Sequence, residues 1–278
     1  MNRKGRKVRL DQLLQEKRPE LSRSRLQAEI MAGKVLVNGK VCDKPGFLVK
    51  EDASIEIREP ENPYVSRGGL KLEGALKDFK IEVQGFIVLD VGASTGGFTD
   101  CFLKNGAKLV YALDVSYGQL DYSLRGDSRV VMMERWNIRY LGPADINCRP
   151  DLATIDVSFI SLKKVLPVME SLTIPELLAL VKPQFEAGRA DVSRGEGVIR
   201  NPALHKKILS DLIIYSCENN YCFKDITVSQ YPGPKGNLEY FLYLTRKSKE
   251  VCNCSNAASN LVNKTVDEAH RRFLRKNN

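Results

Sequence analysis

Apolar residues recur at two different periods along this chain. Leu10, Leu13 and Leu14 fall at helical spacing. Leu26, Ile30 and Met31 do the same, behind the candidate N-caps Ser22 and Ser24 and ahead of Gly33 as a stop. The pattern then alternates through Val35, Val37, Val41, Ile55 and Ile57, with Asn38-Gly39 supplying a hairpin turn. Residues 8–58 therefore read as a small α+β unit. The stretch Glu59-Pro60-Glu61-Asn62-Pro63-Tyr64 has two prolines, two acids and no period, which is linker chemistry. A helix opens at Ser66-Arg67-Gly68-Gly69-Leu70-Lys71, with Leu72, Ala75, Leu76 and Phe79 on its apolar face.

From residue 86 short apolar runs alternate with helical stretches. Strands are predicted at 86–91, 109–114, 130–134, 151–156, 177–182, 223–229 and 239–244. Five of these have βα spacing and imply a parallel, doubly wound, Rossmann-like α/β sheet; the last two, close together, read as an antiparallel edge. A final helix is expected near 261–275, where Val262, Val266, Ala269 and Phe273 share a face. The resulting division is 1–60, a linker at 61–66, a large domain at 67–248, and a linker with the terminal helix at 249–278.

Composition narrows the function classes. No run approaches 18 apolar residues, and no apolar h-region follows the basic start of the chain, which points to a soluble, cytoplasmic protein, with RNA, DNA and an anionic membrane surface all still open as partners. The net charge is +9, and residues 1–60 carry 14 Lys and Arg against nine Asp and Glu. A basic bias concentrated in a small segment suggests a polyanionic partner. Seven cysteines, an odd count without a CxxC pair, argue for reduced thiols rather than a disulfide framework. Cys252-Asn253-Cys254 lacks histidines at zinc spacing, so no metal is expected.

Residues 9–57 resemble an S4 domain, a small RNA-binding module. The similarity rests on SRSRLQAEIMAGKVLVNGK and on Pro45 and Asp52. It implies binding to structured RNA and no membrane partner; Arg6, Arg9, Arg23, Arg25, Lys34 and Lys40 are the candidate phosphate contacts, with Arg67 beyond the linker.

The first strand of the large domain runs into Asp90-Val91-Gly92-Ala93-Ser94-Thr95-Gly96-Gly97-Phe98. A glycine turn there brings backbone N–H groups against a ligand, yet the spacing matches neither a dinucleotide turn nor a P-loop. Asp114 ends the second strand, where an acid can take ribose hydroxyls, and Glu134 and Asn137 follow the third, placed to line an adenine. Asp90 is expected near a cationic or amino group of the ligand. Ribose, adenine and an amino acid without pyrophosphate describe S-adenosylmethionine. Its candidate contacts are Asp90, Gly92, Ser94, Thr95, Gly96, Gly97, Phe98, Asp114, Glu134 and Asn137.

The fourth strand ends in Asp156-Val157-Ser158-Phe159, without the prolines that base-amino methyltransferases place there. Lys182-Pro183 follows the fifth strand and Glu239 opens the last. With Lys71 these make a Lys–Asp–Lys–Glu set drawn from four elements. Methylating a hydroxyl needs in-line alignment and a base, and such a set can supply both.

Lys71, Asp156, Lys182 and Glu239 match the tetrad of FtsJ-like ribose 2′-O-methyltransferases. Together with SRGGLKL, DVGASTGGFTD, ALDVSYGQL, DVSFISL, LVKPQFE and PKGNLEY, the whole chain resembles the TlyA (hemolysin A) family. The resemblance implies methylation of cytidine 2′-hydroxyls in the RNA of ribosomal subunits. It implies Lys182 as base, Asp156 and Glu239 orienting it, and Lys71 holding the target ribose. The rival readings are an S4-led assembly factor without turnover, and a cytolysin. A glycine- and arginine-bearing loop at 186–200 is a candidate lid.

Overall fold

The computed structural model describes residues 6–58, 62–188, 197–247 and 256–273. The chain divides into two compact units, Met1–Pro63 and Tyr64–Asn278. Residues 64–66, expected to be linker, thus belong to the larger unit: Tyr64 is buried, its hydroxyl donates to Glu73 (2.8 Å), and Val65 N donates to Asp100 (2.9 Å). Residues 189–196 of the candidate lid lie outside the described residues.

The smaller unit runs β1 (Lys7–Arg9), α1 (Leu10–Lys17), α2 (Arg23–Met31), β2 (Val35–Val37), β3 (Lys40–Val41), β4 (Leu48–Lys50) and β5 (Ile55–Ile57). Ser22 caps α2, its Oγ accepting from Arg25 N (3.3 Å). Asn38 and Gly39 both take left-handed φ (51° and 77°), the geometry a two-residue hairpin demands, and β2 pairs antiparallel with β3 and β5. Leu10, Leu13, Leu14, Leu26, Ile30, Val35 and Val49 make its core.

The larger unit adds α3 (Arg67–Phe79), β6 (Ile87–Val91), α4 (Gly97–Lys104), β7 (Leu109–Asp114), α5 (Tyr122–Arg125) and β8 (Val130–Glu134). There follow β9 (Leu152–Ile155), α6 (Leu166–Ser171), β10 (Glu176–Val181), α7 (Pro183–Glu186), α8 (Pro202–Glu218), β11 (Tyr221–Val228), β12 (Tyr240–Arg246) and α9 (Asn256–Phe273). Its seven-stranded sheet has the order β11-β12-β10-β9-β6-β7-β8, parallel except for β12, which runs antiparallel to both of its neighbours. The chain moves outward from β6 through β7 to β8 and returns as β9 on the other side of β6. A crevice therefore opens beyond the carboxyl ends of β6 and β9.

Both faces of the sheet are covered, which is why its strands read as near-continuous apolar runs. Leu89, Val91, Leu177, Ala179 and Val181 face the layer of α6, α8 and α9. Val88, Leu178 and Leu180 face α3 and α4. The terminal helix packs into the first of these layers through Val262, Val266 and Ala269. Cys42, Cys101 and Cys148 are free, but Cys217 and Cys222 are disulfide-bonded, against the expectation of reduced thiols. Count and CxxC spacing carry no information on which sulfurs the fold brings together. Among the described residues no helix is long and apolar enough to cross a membrane.

Candidate active site

Because β12 is antiparallel to β10, its first residue, Tyr240, pairs with the last residue of β10, Val181. That register brings the residue before β12, Glu239, beside the residue after β10, Lys182. Asp156 leaves the adjacent β9, and Lys71 reaches in from the second turn of α3. Four positions spread over 169 residues of sequence thus meet at one sheet edge.

They form two ion pairs. Lys182 Nζ lies 2.5 Å from Asp156 Oδ1 and donates to Ser158 Oγ (3.1 Å). Lys71 Nζ lies 2.6 Å from Glu239 Oε2. Asp156 therefore pairs with Lys182 and Glu239 with Lys71, whereas the resemblance implies that both acids orient Lys182. Glu239 is fully buried, and burial raises its carboxyl above the ordinary range. Lys71 and Lys182 pull it down, and Asp156 adds a smaller upward push. The acids and lysines thus act on one another as a single charged cluster.

Lys71 reaches the cluster because α3 and α4 cross closely. A Cβ on Gly97 would stand 2.2 Å from Ser66 Oγ, and one on Gly69 would stand 2.2 Å from the Tyr64 ring. Ser66 caps α3, accepting from Gly68 N (3.3 Å). The glycine pairs of SRGGLKL and STGGF are what permit this approach.

Beside the tetrad lies a cavity of about 520 Å³ over the ends of β6, β7 and β9. Its size falls within the roughly 300–1,000 Å³ of small-molecule sites. Of the residues expected to hold the cofactor, Gly92, Ser94, Asp114 and Asn137 line it. Asp114 shapes the turn, its Oδ2 accepting from Ser94 N (2.8 Å) and its Oδ1 from Ser116 N (2.7 Å). Asn137 caps the following turn, its side chain accepting from Arg139 N (3.1 Å). Gly92 takes φ +90°, and a Cβ there would stand 2.2 Å from Asp156 O, so the turn packs directly against the strand end that bears the tetrad aspartate.

The other expected contacts do not line the cavity. Asp90 shares a sheet face with Val88, so it points under α4 and is fully buried. Thr99 Oγ1 donates to its Oδ2 (2.7 Å) and Thr154 Oγ1, its β9 neighbour in register, to its Oδ1 (3.2 Å). Burial pushes this carboxyl up to about 7, against the pull of the two threonines. The two-residue alternation of strand side chains overrules the expected contact with a ligand amino group. Thr95, Gly96, Gly97 and Phe98 build the turn and the start of α4, with Phe98 in the core against Phe241. Glu134 is taken up by Arg125 and by Gly118 N (3.0 Å).

Several lining residues were not expected as contacts: Arg139 and Lys164 lie in no motif, and Ser116, Gln119, Ser158 and Phe159 fall within ALDVSYGQL and DVSFISL without being singled out. Phe159 is 91% exposed with φ +63°, and its ring lies 4.9 Å from that of Phe185. A large aromatic held outward in left-handed backbone is a strained, site-like feature. Only its place just after the strand-end acid could have flagged it.

In the smaller unit the expected cations are organised rather than left over. Asp11 is buried and binds Arg9 through both oxygens (3.0 Å each), Arg23 (3.0 Å) and Gln27 (2.8 Å). The Arg9 hydrogen bonds hold its carboxyl far below the usual range, with Gln27 and Arg23 adding to the pull against burial. Lys34 pairs with Glu29 (2.8 Å) and Arg6 with Glu51 (3.7 Å), while Arg25 and Lys40 stand exposed. Arg67, exposed at the start of α3, lies 5.8 Å from the Tyr231 ring centre.

Comparison with known proteins agrees with this architecture. Residues 8–55 match the S4 domain and residues 64–246 the FtsJ-like methyltransferases. YqxC of Bacillus subtilis is 44% identical over 275 residues, covering 98% of this chain and 97% of its own. The 16S/23S rRNA (cytidine-2′-O)-methyltransferase TlyA of Mycobacterium tuberculosis is 41% identical over 253 residues, covering 89% and 94%. A solved structure from Streptococcus thermophilus, which carries a hemolysin name, superposes with a TM-score of 0.74 at 38% identity and 98% coverage of both chains. The chain belongs to the TlyA (hemolysin A) family of FtsJ-like methyltransferases, enzymes that draw their methyl group from S-adenosylmethionine, with an S4 domain ahead of the catalytic sheet.

Proposed function

We propose that the protein methylates ribose 2′-hydroxyls of ribosomal RNA, with cytidine in ribosomal subunits as the target and Lys182 as the general base. The observation that carries this reading is the pair of lysine–carboxylate contacts, Lys182–Asp156 and Lys71–Glu239, at the edge of the 520 Å³ cavity. The relative from Mycobacterium tuberculosis is named for the same reaction on 16S and 23S rRNA. The work belongs in the cytoplasm, where the subunits are.

The cavity suits S-adenosylmethionine by its donor set. Asp114 is the acid for the ribose hydroxyls, and Asn137 and Ile138 flank the adenine region. The Gly92–Ser94 turn serves by close approach, since its N–H groups are spent on Leu113 O and Asp114 Oδ2. When bound, that molecule supplies an electrophilic methyl group on a sulfonium. The chain must place the nucleophile and remove its proton. Lys71, fixed by buried Glu239, holds the target ribose. Lys182, held by Asp156 and Ser158, would take the 2′-hydroxyl proton as that oxygen bonds the methyl carbon and the sulfur–methyl bond breaks, leaving a neutral sulfide. Phe159, exposed beside Phe185 at the cavity mouth, offers a stacking face to the target base.

The test is methyl transfer from labelled S-adenosylmethionine to purified 30S and 50S subunits and to naked rRNA. Nuclease digestion then assigns the label to ribose or base. Lys182→Ala and Lys182→Arg should both lose roughly 100-fold or more in rate, because arginine keeps the charge but cannot accept the proton. Label on a base, or an active Lys182→Arg enzyme, would refute the reading. Cofactor binding without any transfer would favour the assembly factor.

A further inference from the structure

Asp156 and Lys182 leave different strands; a loop follows Asp156 and the short helix α7 follows Lys182. The Lys182 ammonium ties the two together at Asp156 and Ser158. Four residues beyond Lys182, Glu186 on α7 reaches across to that loop. Its Oε2 accepts from the hydroxyl of Ser161 (2.6 Å) and its Oε1 from the backbone N–H of Leu162 (2.8 Å). Ser161 Oγ in turn accepts from Lys163 N (3.2 Å), capping the short turn Leu162–Lys164. The Phe159–Phe185 contact crosses between the same loop and α7. Burial pushes the Glu186 carboxyl up, while Ser161, Leu162 and Lys163 draw it back toward the charged form.

We propose that Glu186 is a positioning residue that clasps the loop after β9 to α7, the short helix after β10, and so sets the Lys182–Asp156–Ser158 geometry and the attitude of Phe159. It needs no contact with substrate or cofactor. The position calls for a side chain that accepts an O–H and an N–H at once, which a carboxylate does with its two oxygens. Glutamine can keep part of the clasp: its oxygen accepts from Leu162 N, and its amide can donate to Ser161 Oγ. Alanine keeps neither bond. The clasp also accounts for why DVSFISL and LVKPQFE carry specific polar residues beyond Asp156 and Lys182.

This inference rests on reading Lys182 as the base, and the experiment separates the two. The full chain is assayed on ribosomal subunits for kcat, KM for the RNA and affinity for S-adenosylmethionine. The variants are Glu186→Ala, Glu186→Gln, Ser161→Ala, the Glu186→Ala/Ser161→Ala pair, and Lys182→Ala. The expected result is a roughly 10- to 100-fold lower kcat for Glu186→Ala, the scale of a small misplacement of reacting groups. Cofactor affinity should stay within about twofold, Glu186→Gln should recover most of the rate, and the double variant should be no slower than Glu186→Ala. An unchanged kcat in Glu186→Ala beside a dead Lys182→Ala would overturn the clasp and leave the base standing. Equal losses in the Ala and Gln variants, or losses confined to KM or cofactor affinity, would overturn it as well. Activity surviving in Lys182→Ala would instead overturn the base.

Discussion

Gly233 shows how closely single residues are specified around the tetrad. Its backbone is ordinary (φ −71°), so the demand is for space alone. A Cβ there would stand 2.0 Å from Glu239 Oε1, whose carboxylate is buried and already committed through Oε2 to Lys71. Gly233→Ala must displace either its own loop or Glu239, and moving Glu239 releases Lys71. The expected outcome is a kcat at least roughly tenfold lower with cofactor affinity kept, since the cavity is lined by other residues. Steady-state kinetics beside direct cofactor titration would decide it; wild-type kcat would show that the loop yields instead. At this scale Asp156, Lys182 and Glu239 were legible as a group, because charged residues at the ends of apolar strands have few structural reasons to be there; Lys71, inside α3, carried no such mark. The direction of a side chain was less so. Asp90 and Asp114 look alike in sequence, each an acid at a strand end, yet the pleat sends one under α4 and the other to the cavity. Arg9 and Arg23 read as free cations because nothing in the sequence marks Asp11, one acid in a helix, as the buried carboxylate that gathers them.

Among the elements, the strands were legible to within a few residues, since burial on both faces writes itself as apolar runs. The placement of β12 between β10 and β11, with the reversal that delivers Glu239 to Lys182, was not, because spacing alone leaves the order of an antiparallel edge open. The terminal helix α9 was legible from its apolar face, but its polar tie to the catalytic edge was hidden. His205 on α8 is fully buried. A carbonyl can only accept, so His205 Nε2 donates to Ile199 O (3.0 Å), and Nδ1 accepts from the Tyr240 hydroxyl (2.8 Å), with His270 Nε2 of α9 3.3 Å away. Burial, followed by His270, pushes the His205 pKa down to about 4, against the upward pull of Ile199. The native ring stays neutral while the unfolded chain takes up a proton below about 6.5. Its contribution is therefore full above that pH and is lost as pH falls toward 4, on the order of 3 kcal/mol. Asp90, raised to about 7, slopes the opposite way across the same window, so the measurable quantity is the difference between wild type and His205→Gln. Urea unfolding of both at pH 4, 5, 6 and 7 should show the wild type losing more stability than the variant as pH falls. Parallel curves would mean that His205 is protonated in the native state.

For the molecule as a whole, the charge asymmetry and the two separate cores suggest a division of labour. The Tyr64–Asn278 unit holds the cavity, the tetrad and its own core on both sides of the sheet, so cofactor affinity is expected to reside in that unit. Residues 1–60 carry an excess of five positive charges, and acids pair with four of the six candidate phosphate contacts of the small unit, so among the described residues Arg25 and Lys40 are the two candidates, both exposed, on which to test phosphate contact. Contacts to phosphate give affinity that is salt-sensitive and indifferent to sequence, leaving the choice of nucleotide to the reach and shape of the catalytic edge. Arg25→Glu combined with Lys40→Glu should weaken binding to ribosomal subunits most at low salt and lower the slope of log affinity against log salt by roughly 0.7–0.9 for each phosphate no longer neutralised. Affinity for S-adenosylmethionine should be unchanged. Methylation should fall through KM rather than kcat, because the tetrad is untouched once RNA is seated. A charge reversal that lowered kcat at saturating subunits, with the salt slope unaltered, would show that the small domain shapes the catalytic step rather than the encounter.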